Sequence, residues 1–255
     1  MANLKEIRTR ITSVSSTMQI TSAMKMVSAA KLKRAQDAIT QMRPYAEKLR
    51  EILVNISSTL EGSAEGVYSQ ERETQKVLIV AIASNRGLCG AFNANIFKAT
   101  ENRIKDYAGK EVQVYPIGKR TVDYFTGKHT IYNSNIEIFN DLNYDHVTVM
   151  AQEVMDAFVE GEFDKVEIIY NEFQNAATQE VITQQFVPVV ADENEEIDVN
   201  ADYIFEPSKS SIVVDLIPKS LKIQLYKSLL DSHASEHGAR MTAMHKATDN
   251  AEDLK

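Results

Sequence analysis

An apolar seam through the first sixty residues constrains this chain more than any other feature of its sequence. Seventeen positions, spaced alternately by three and four residues between 4 and 60, hold fourteen apolar side chains. A seam sustained over this length is typical of a coiled coil rather than of a globular helix. No glycine occurs before Gly62, and Pro44 is predicted to kink the helix near Met42–Arg43 without ending it.

The predicted helix would be roughly 80–90 Å long at the rise of an α-helix. Because this length exceeds the diameter of a domain of this size, the helix is expected to project beyond its own core. The apolar members of the seam are Leu4, Ile7, Ile11, Val14, Met18, Leu32, Ala35, Ile39, Met42, Ala46, Leu49, Leu53, Ile56 and Leu60.

The seam is interrupted between positions 21 and 28. The core positions there hold Thr21, Lys25 and Ser28, and the apolar row on a neighbouring face holds Ile20, Met24 and Val27. One interpretation is a stutter, in which the seam rotates locally. The other is a section that faces something besides its own partner helix. Both predict the same pattern, so both stay open at this point.

The middle of the chain is predicted to be an α/β domain. Buried-strand patterns at 76–83, 112–117, 166–170 and 181–186 alternate with helical patterns at 91–107, 119–125 and 146–159, which implies a mostly parallel sheet. The first strand is followed by a turn with Gly87 and Gly90, which matches neither glycine-rich phosphate-binding fingerprint. Cys89 in this turn lies near Arg86 and a helix start, but without a histidine nearby in sequence a catalytic thiol is not expected.

A second long helix is predicted at the end of the chain, with Pro218 as its first residue. A stripe of small residues, including Ser235, Ala239 and Thr242, would let another helix approach closely, and the N-terminal helix is the expected partner. The predicted fold is α/β: a long antiparallel coiled coil of the N- and C-terminal helices with an inserted Rossmann-like α/β domain. Its parts are an N-terminal coiled-coil helix at 1–61, the α/β domain at 62–208 and the C-terminal coiled-coil helix at 209–255.

One motif on the second long helix suggests an alternative, catalytic function. His233, Glu236 and His237 form an H-x-x-E-H pattern, in which two histidines on one helix face could bind zinc with the glutamate as general base. A zinc hydrolase is therefore one alternative, although a third ligand would have to come from elsewhere. A stand-alone coiled-coil adaptor is another alternative.

Charge and composition exclude several classes of protein. The net charge of −8 divides into +6 over residues 1–36 and −14 over residues 150–206, with the remainder of the chain balanced, and an acidic balance argues against a nucleic-acid binder. The single cysteine excludes an internal disulfide. The sequence also has no run of 18 apolar residues and no apolar leader at its start, so neither a membrane span nor a signal peptide is expected.

Three segments resemble the gamma subunit of the rotary F-type ATP synthase. They are ITSV at 11–14 with QITSAMKMVSAAKL at 19–32, SNRGLCGAFN at 84–93, and ASEHGARMTAM at 234–244 with ATDN at 247–250. The similarity covers the whole chain, in the order that this family has.

The resemblance implies a central rotor shaft that couples c-ring rotation to conformational change in the catalytic beta subunits. The implied partners are the alpha and beta subunits, the epsilon subunit and the c-ring, and no catalytic residue, cofactor, metal or small-molecule substrate is expected. Contacts with the beta subunit are implied for Met24, Lys25, Arg86, Cys89 and Arg240. Contacts with the c-ring and epsilon at the foot are implied for Tyr203, Phe205 and Glu206.

The resemblance also bears on the location of the protein and on its chain ends. It implies a peripheral protein on the cytoplasmic face of the bacterial inner membrane, because no transit peptide precedes the first helix. The family's C-terminal helix continues past the stretch that corresponds to 247–250, so the C-terminal helix of this chain is expected to be incomplete. The inserted cysteine pair that is typical of chloroplast members is missing, so thiol regulation is not expected.

Overall fold

The computed structural model describes residues 4–57, 67–189 and 209–255 of the chain. Two long helices flank a five-stranded sheet with three shorter helices. The helices are α1 Leu4–Ser57, α2 Phe92–Asp106, α3 Lys119–Phe125, α4 Tyr144–Val159 and α5 Lys209–Asp253. The strands are β1 Lys76–Ile82, β2 Glu111–Ile117, β3 Thr130–Ile131, β4 Lys165–Phe173 and β5 Gln179–Val187.

Both long helices contain a proline. Helix α1 continues through Pro44, as the sequence predicts. The predicted start of α5 at Pro218 is wrong, because the helix is already formed at Lys209. Ile217 is buried and packs in the same core as Leu221, and this burial offsets the helical hydrogen bond that a proline cannot make.

The two long helices form the predicted antiparallel pair. The hydroxyl oxygens of Thr21 and Thr248 lie 2.8 Å apart in a hydrogen bond, and Leu32 packs in one cluster with Ala234 and Leu230. Positions that rise along α1 therefore meet positions that fall along α5, so the two helices run in opposite directions.

The interrupted part of the seam is not rotated. Thr21 and Ser28 are 9% and 3% exposed, whereas Ile20 and Val27 on the neighbouring face are 61% and 58% exposed. The stutter interpretation is therefore wrong, and Ile20 and Val27 of the apolar row face away from α5. Thr21 and Ser28 lie where the two helices pack, and the Thr21 hydroxyl makes a hydrogen bond across the interface.

The sheet has the order β3-β2-β1-β4-β5. Strand β1 is parallel to β2 and β4, β2 is parallel to β3, and β5 is antiparallel to β4. The mostly parallel sheet is thus confirmed, with β3 as a strand that the sequence did not predict. Alternate side chains of β1 enter cores on opposite faces: Val80 lies in the core that contains α4 and α5 residues, and Ile79 in the core that contains α2 residues.

The small-residue stripe of α5 packs mainly against the α/β domain rather than against α1. The Ser235 hydroxyl donates to the carbonyl of Asn171, and the Thr242 hydroxyl donates to the carbonyl of Ala176, at 3.1 and 3.0 Å. A Cβ atom on Gly238 would lie 3.2 Å from the backbone of Ala176. The prediction that this stripe serves the partner helix is therefore corrected: its smallness lets the β4–β5 hairpin approach α5.

Several predictions fall outside the described residues. The domain boundaries at 61–62 and 208–209 lie at or within the segments that are not described, as do Tyr203, Phe205 and Glu206. Among the helices of the described ranges, none combines the length and the hydrophobicity that a bilayer span requires.

Candidate functional site

The turn after β1 is a tightly built loop at the carboxyl edge of the sheet. The backbone N–H of Ser84 donates to Asn93 Oδ1 at 3.1 Å, and Asn93 Nδ2 donates to Cys89 Sγ at 3.2 Å. Leu88 and Gly90 adopt left-handed backbone conformations, with φ of 60° and 59°. Glycine adopts this conformation without strain, but leucine rarely does. The turn is therefore held in a specific shape by side chains beneath it.

Leu88 is a candidate contact residue that the sequence patterns did not single out. Its side chain is 65% exposed, and its neighbours Arg86 and Gly87 are exposed as well. An apolar side chain that is held out to solvent on a rigid, strained turn indicates a contact surface. The available signal was a leucine close to two glycines in a turn after a buried strand, where an apolar residue has no core to enter.

Cys89 lies beneath this turn and is 1% exposed. Burial raises the pKa of its thiol, and the positive charge of Arg240 offsets this only in part. The thiol is thus a buried, neutral group rather than an activated nucleophile. The side chain itself is not presented to a partner, although it supports residues that are.

Arg240 also faces inward. Its guanidinium donates to the carbonyl of Arg86 at 2.9 Å and to that of Gly87 at 3.2 Å, and a third bond reaches Glu236 Oε1 at 2.6 Å. The residue is 6% exposed. The structure therefore brings Arg240 to the turn, a contact that the sequence did not predict, and places it under the surface that the exposed turn residues form.

Met24 and Lys25 lie at about the same level along the two long helices as the part of α5 that contains Arg240. Thr21 is opposite Thr248 and Leu32 packs with Ala234, so the intervening part of α1 runs beside the part of α5 that contains Arg240. Met24 and Lys25 are each half-buried. At the same level of α1, the exposed Ile20, Val27 and Met26, the last at 65% exposure, form an apolar strip on the outside of the helix.

The H-x-x-E-H motif does not form a zinc site. The Nε2 atoms of His233 and His237 lie 3.1 Å apart, one donating to the other, and Glu236 is bonded to Arg240 instead of lying free to act as a base. Burial, with the neighbouring positive charges, lowers the pKa of His233 to about 4. Burial, with His233 and Arg240 nearby, lowers the pKa of His237 to about 3. Among the described residues, no three or more His, Cys, Asp or Glu side chains are grouped to hold a metal.

Helix α5 occupies the crevice in which related α/β folds bind ligands. In open parallel sheets, that crevice lies outside the carboxyl ends of two neighbouring strands whose connections leave in opposite directions. Here those strands are β1 and β4. Ser235 bonds to the end of β4 and Arg240 bonds to the turn after β1, so the protein's own helix crosses this crevice and contacts both of its edges.

The fold and this site together define a class of protein: a two-helix shaft whose inserted α/β domain is fixed to the returning helix. A family model described as ATP synthase matches residues 3–255. The ATP synthase gamma chain of Flavobacterium johnsoniae is 62% identical over 255 residues, which cover 100% of this chain and 89% of that relative. The ATP synthase gamma chain of Geobacter metallireducens is 42% identical over 256 residues, with the same coverage. The chain belongs to the ATP synthase gamma chain family.

Solved structures with low sequence identity share the fold. A chain from the central stalk and c-ring of Tetrahymena thermophila mitochondrial ATP synthase has a TM-score of 0.66 and 23% identity, covering 89% of this chain and 99% of that chain. A rotor chain of Euglena gracilis mitochondrial ATP synthase has a TM-score of 0.64 and 18% identity, covering 97% of this chain and 91% of that chain. The family membership does not support the zinc hydrolase or the stand-alone adaptor as functions.

Proposed function

We propose that this chain is the central rotor shaft of a proton-translocating ATP synthase, in which it couples rotation of the c-ring to conformational change in the catalytic beta subunits. The observation that carries the proposal is the outward-facing apolar strip of Ile20, Met26 and Val27, which lies on the side of α1 away from Thr21 and Ser28, the residues buried at the same level. A helix that already has a partner needs such a strip only if it faces a second one.

The partners proposed are the alpha and beta subunits around the shaft, and the epsilon subunit and c-ring at its foot. The relatives are named as ATP synthase chains, and a further Euglena gracilis chain that shares the fold comes from an OSCP/F1/c-ring assembly of mitochondrial ATP synthase. The net charge of +6 over residues 1–36 fits acidic loops on surrounding subunits. Lys25, within the interrupted seam, is a half-buried base at the same level of α1 as the apolar strip.

The chain is proposed to contribute no catalytic residue of its own. The crevice that related folds use for ligands is filled by Ser235 and Arg240 of α5. Bacterial relatives support a peripheral position on the cytoplasmic face of the inner membrane. The contacts predicted for Met24, Lys25 and Arg86 with the beta subunit, and for Tyr203, Phe205 and Glu206 with the foot, belong to this proposal.

The test compares charge reversal at two lysines in the assembled complex. Lys25→Glu changes a half-buried residue at the level of the apolar strip, and the matched control Lys105→Glu changes an exposed residue on α2 of the α/β domain. ATP hydrolysis and ATP-driven proton pumping are measured in the same membrane vesicles. We expect Lys25→Glu to lower the ratio of pumping to hydrolysis more than Lys105→Glu does.

Two results would contradict the proposal. Equal effects of the two reversals on the pumping ratio would remove the assigned role of the Lys25 surface. Assembly and turnover of alpha and beta subunits that are equally good with and without this chain would remove the shaft role itself.

A further inference from the structure

One buried guanidinium connects the exposed turn after β1 to the shaft. The turn and Arg240 are separated by more than 150 residues in sequence, yet Arg240 bonds to two consecutive carbonyls of the turn, those of Arg86 and Gly87. The third bond, to Glu236 one helical turn earlier on α5, fixes the plane of the guanidinium.

This arrangement requires arginine. Only the planar guanidinium has enough donors, in a fixed fork, to reach two carbonyls and a carboxylate at once. The ammonium of a lysine is a compact charge and would reach one side of the arrangement. Because Arg240 and Glu236 are each 6% exposed, water does not readily replace a lost bond.

We propose that Arg240 is a positioning residue: it locks the turn at residues 85–90 onto α5, so that the exposed Arg86 and Leu88 keep a fixed position relative to the shaft. The inference rests on the proposed function for its mechanical meaning, because a load on the turn is then transmitted to α5 rather than absorbed by movement of the loop. Arg240 acts on a partner only through the turn that it holds.

The chain contains its own reporter for this lock. Cys89 is the single cysteine and lies beneath the turn at 1% exposure. Alkylation of Cys89 by iodoacetamide, followed by mass spectrometry of the peptide that contains it, therefore measures how often the turn opens in the full chain. The charge of Arg240 lowers the thiol pKa, so its loss would slow alkylation if the turn stayed closed. An increase in rate can only come from opening.

The variants distinguish the effect of the several donors of the Arg240 guanidinium from the effect of its positive charge. We expect Arg240→Gln to raise the alkylation rate of Cys89 at least about tenfold, because two carbonyls lose a buried ionic donor, and Arg240→Lys to raise it by a smaller factor. The matched control is Arg120→Gln, since Arg120 is half exposed and pairs only loosely with Asp123 at 3.9 Å. Its rate should equal that of the unchanged protein.

The outcomes distinguish this inference from the function on which it rests. Alkylation rates of both Arg240 variants equal to that of the unchanged protein would overturn the positioning role, whatever proton pumping shows. Faster alkylation with an unchanged ratio of pumping to hydrolysis in the assembled complex would keep the lock but contradict a coupling contact at the turn. If Arg240→Gln does not fold, as judged by circular dichroism, Arg240→Lys decides the question by the same rates.

Discussion

Mild acid should destabilise this protein through one pair of histidines. His233 and His237 are hydrogen-bonded to each other and covered by the ring of Phe139, which stacks on His233 at 5.9 Å between centroids. Burial lowers the pKa of His233 to about 4 and that of His237 to about 3, from an ordinary value of about 6.5 in an unfolded chain. The neutral pair is fully compatible with the fold above pH 6.5.

The unfolded chain takes up protons at a higher pH than the folded chain does. Between about pH 6.5 and the folded pKa values, the unfolded chain binds a proton at each histidine and the folded chain does not, so stability is lost as the pH falls. From about pH 7 to pH 5 the loss is about 2 kcal/mol for each histidine, or about 4 kcal/mol for the two. The remaining groups contribute their own pH dependence, so the comparison must be made between variants.

The perturbation is His237→Gln, with His245→Gln as its matched control on the same helix. His245 is exposed, and its ring nitrogen lies 3.2 Å from Asp249. Urea unfolding of the full chain, followed by circular dichroism at about pH 7 and pH 5, gives the free energy of unfolding of each variant. His237→Gln should lose about 2 kcal/mol less than the unchanged protein over this interval, whereas His245→Gln should lose as much as the unchanged protein. An equal loss for His237→Gln and His245→Gln would refute the reasoning.

Two further predictions concern the α/β domain, and both are measured by urea unfolding at neutral pH. Gly118→Ala should lower the free energy of unfolding by about 3 kcal/mol or more, because φ is 94° and the new Cβ would lie 2.2 Å from the Ala83 carbonyl oxygen. Gly127→Ala, at φ 82° with open space around it, should lower it by about 1 kcal/mol. Equal losses would contradict the clash. Arg103→Met should cost about 3 kcal/mol, because it removes two 2.6 Å bonds from the buried carboxylate of Glu167. Adding Glu167→Met should recover most of this loss, and no recovery would show that lost packing, rather than the buried carboxylate without its arginine, dominates.

The elements of the fold were largely predictable because each buries an apolar pattern of its own. The run of seven residues in β1 is buried from Val77 onward, and the period of α4 places Val147, Val154 and Phe158 in the core. Strand β3 has two residues, which is too short for any periodicity. The start of α5 was misplaced because Pro218 fits the first turn of a helix equally well, and only the core around Ile217 shows that the helix continues upstream.

The site was less predictable because its contacts are made across the chain. Periodicity shows that the small face of α5 is buried but not which element covers it, and Ser235 and Thr242 bond to backbone that lies more than 60 residues away. Arg240, as a charged residue on a helix, is expected at the surface. Its burial depends on the carbonyls of Arg86 and Gly87, which the folded turn directs toward its guanidinium. The sequence alone therefore does not show that these carbonyls point toward Arg240.

Because α5 fills the crevice, the α/β domain can hold this helix in a fixed position instead of binding a ligand there. A helix can turn relative to a domain that touches it along one line, but not relative to one that holds it from separate directions. Ser235 bonds to β4, Thr242 bonds to the β4–β5 hairpin, and Arg240 bonds to the turn after β1, all within about two helical turns of α5. Each bond contributes only about 1 kcal/mol or somewhat more. Ser235 and Thr242 lie on one face of α5 and Arg240 lies on a different side of it, so the bonds hold the helix from two directions around its axis. A twist of α5 against the domain must therefore break them together, and this is the property that a shaft needs at its base.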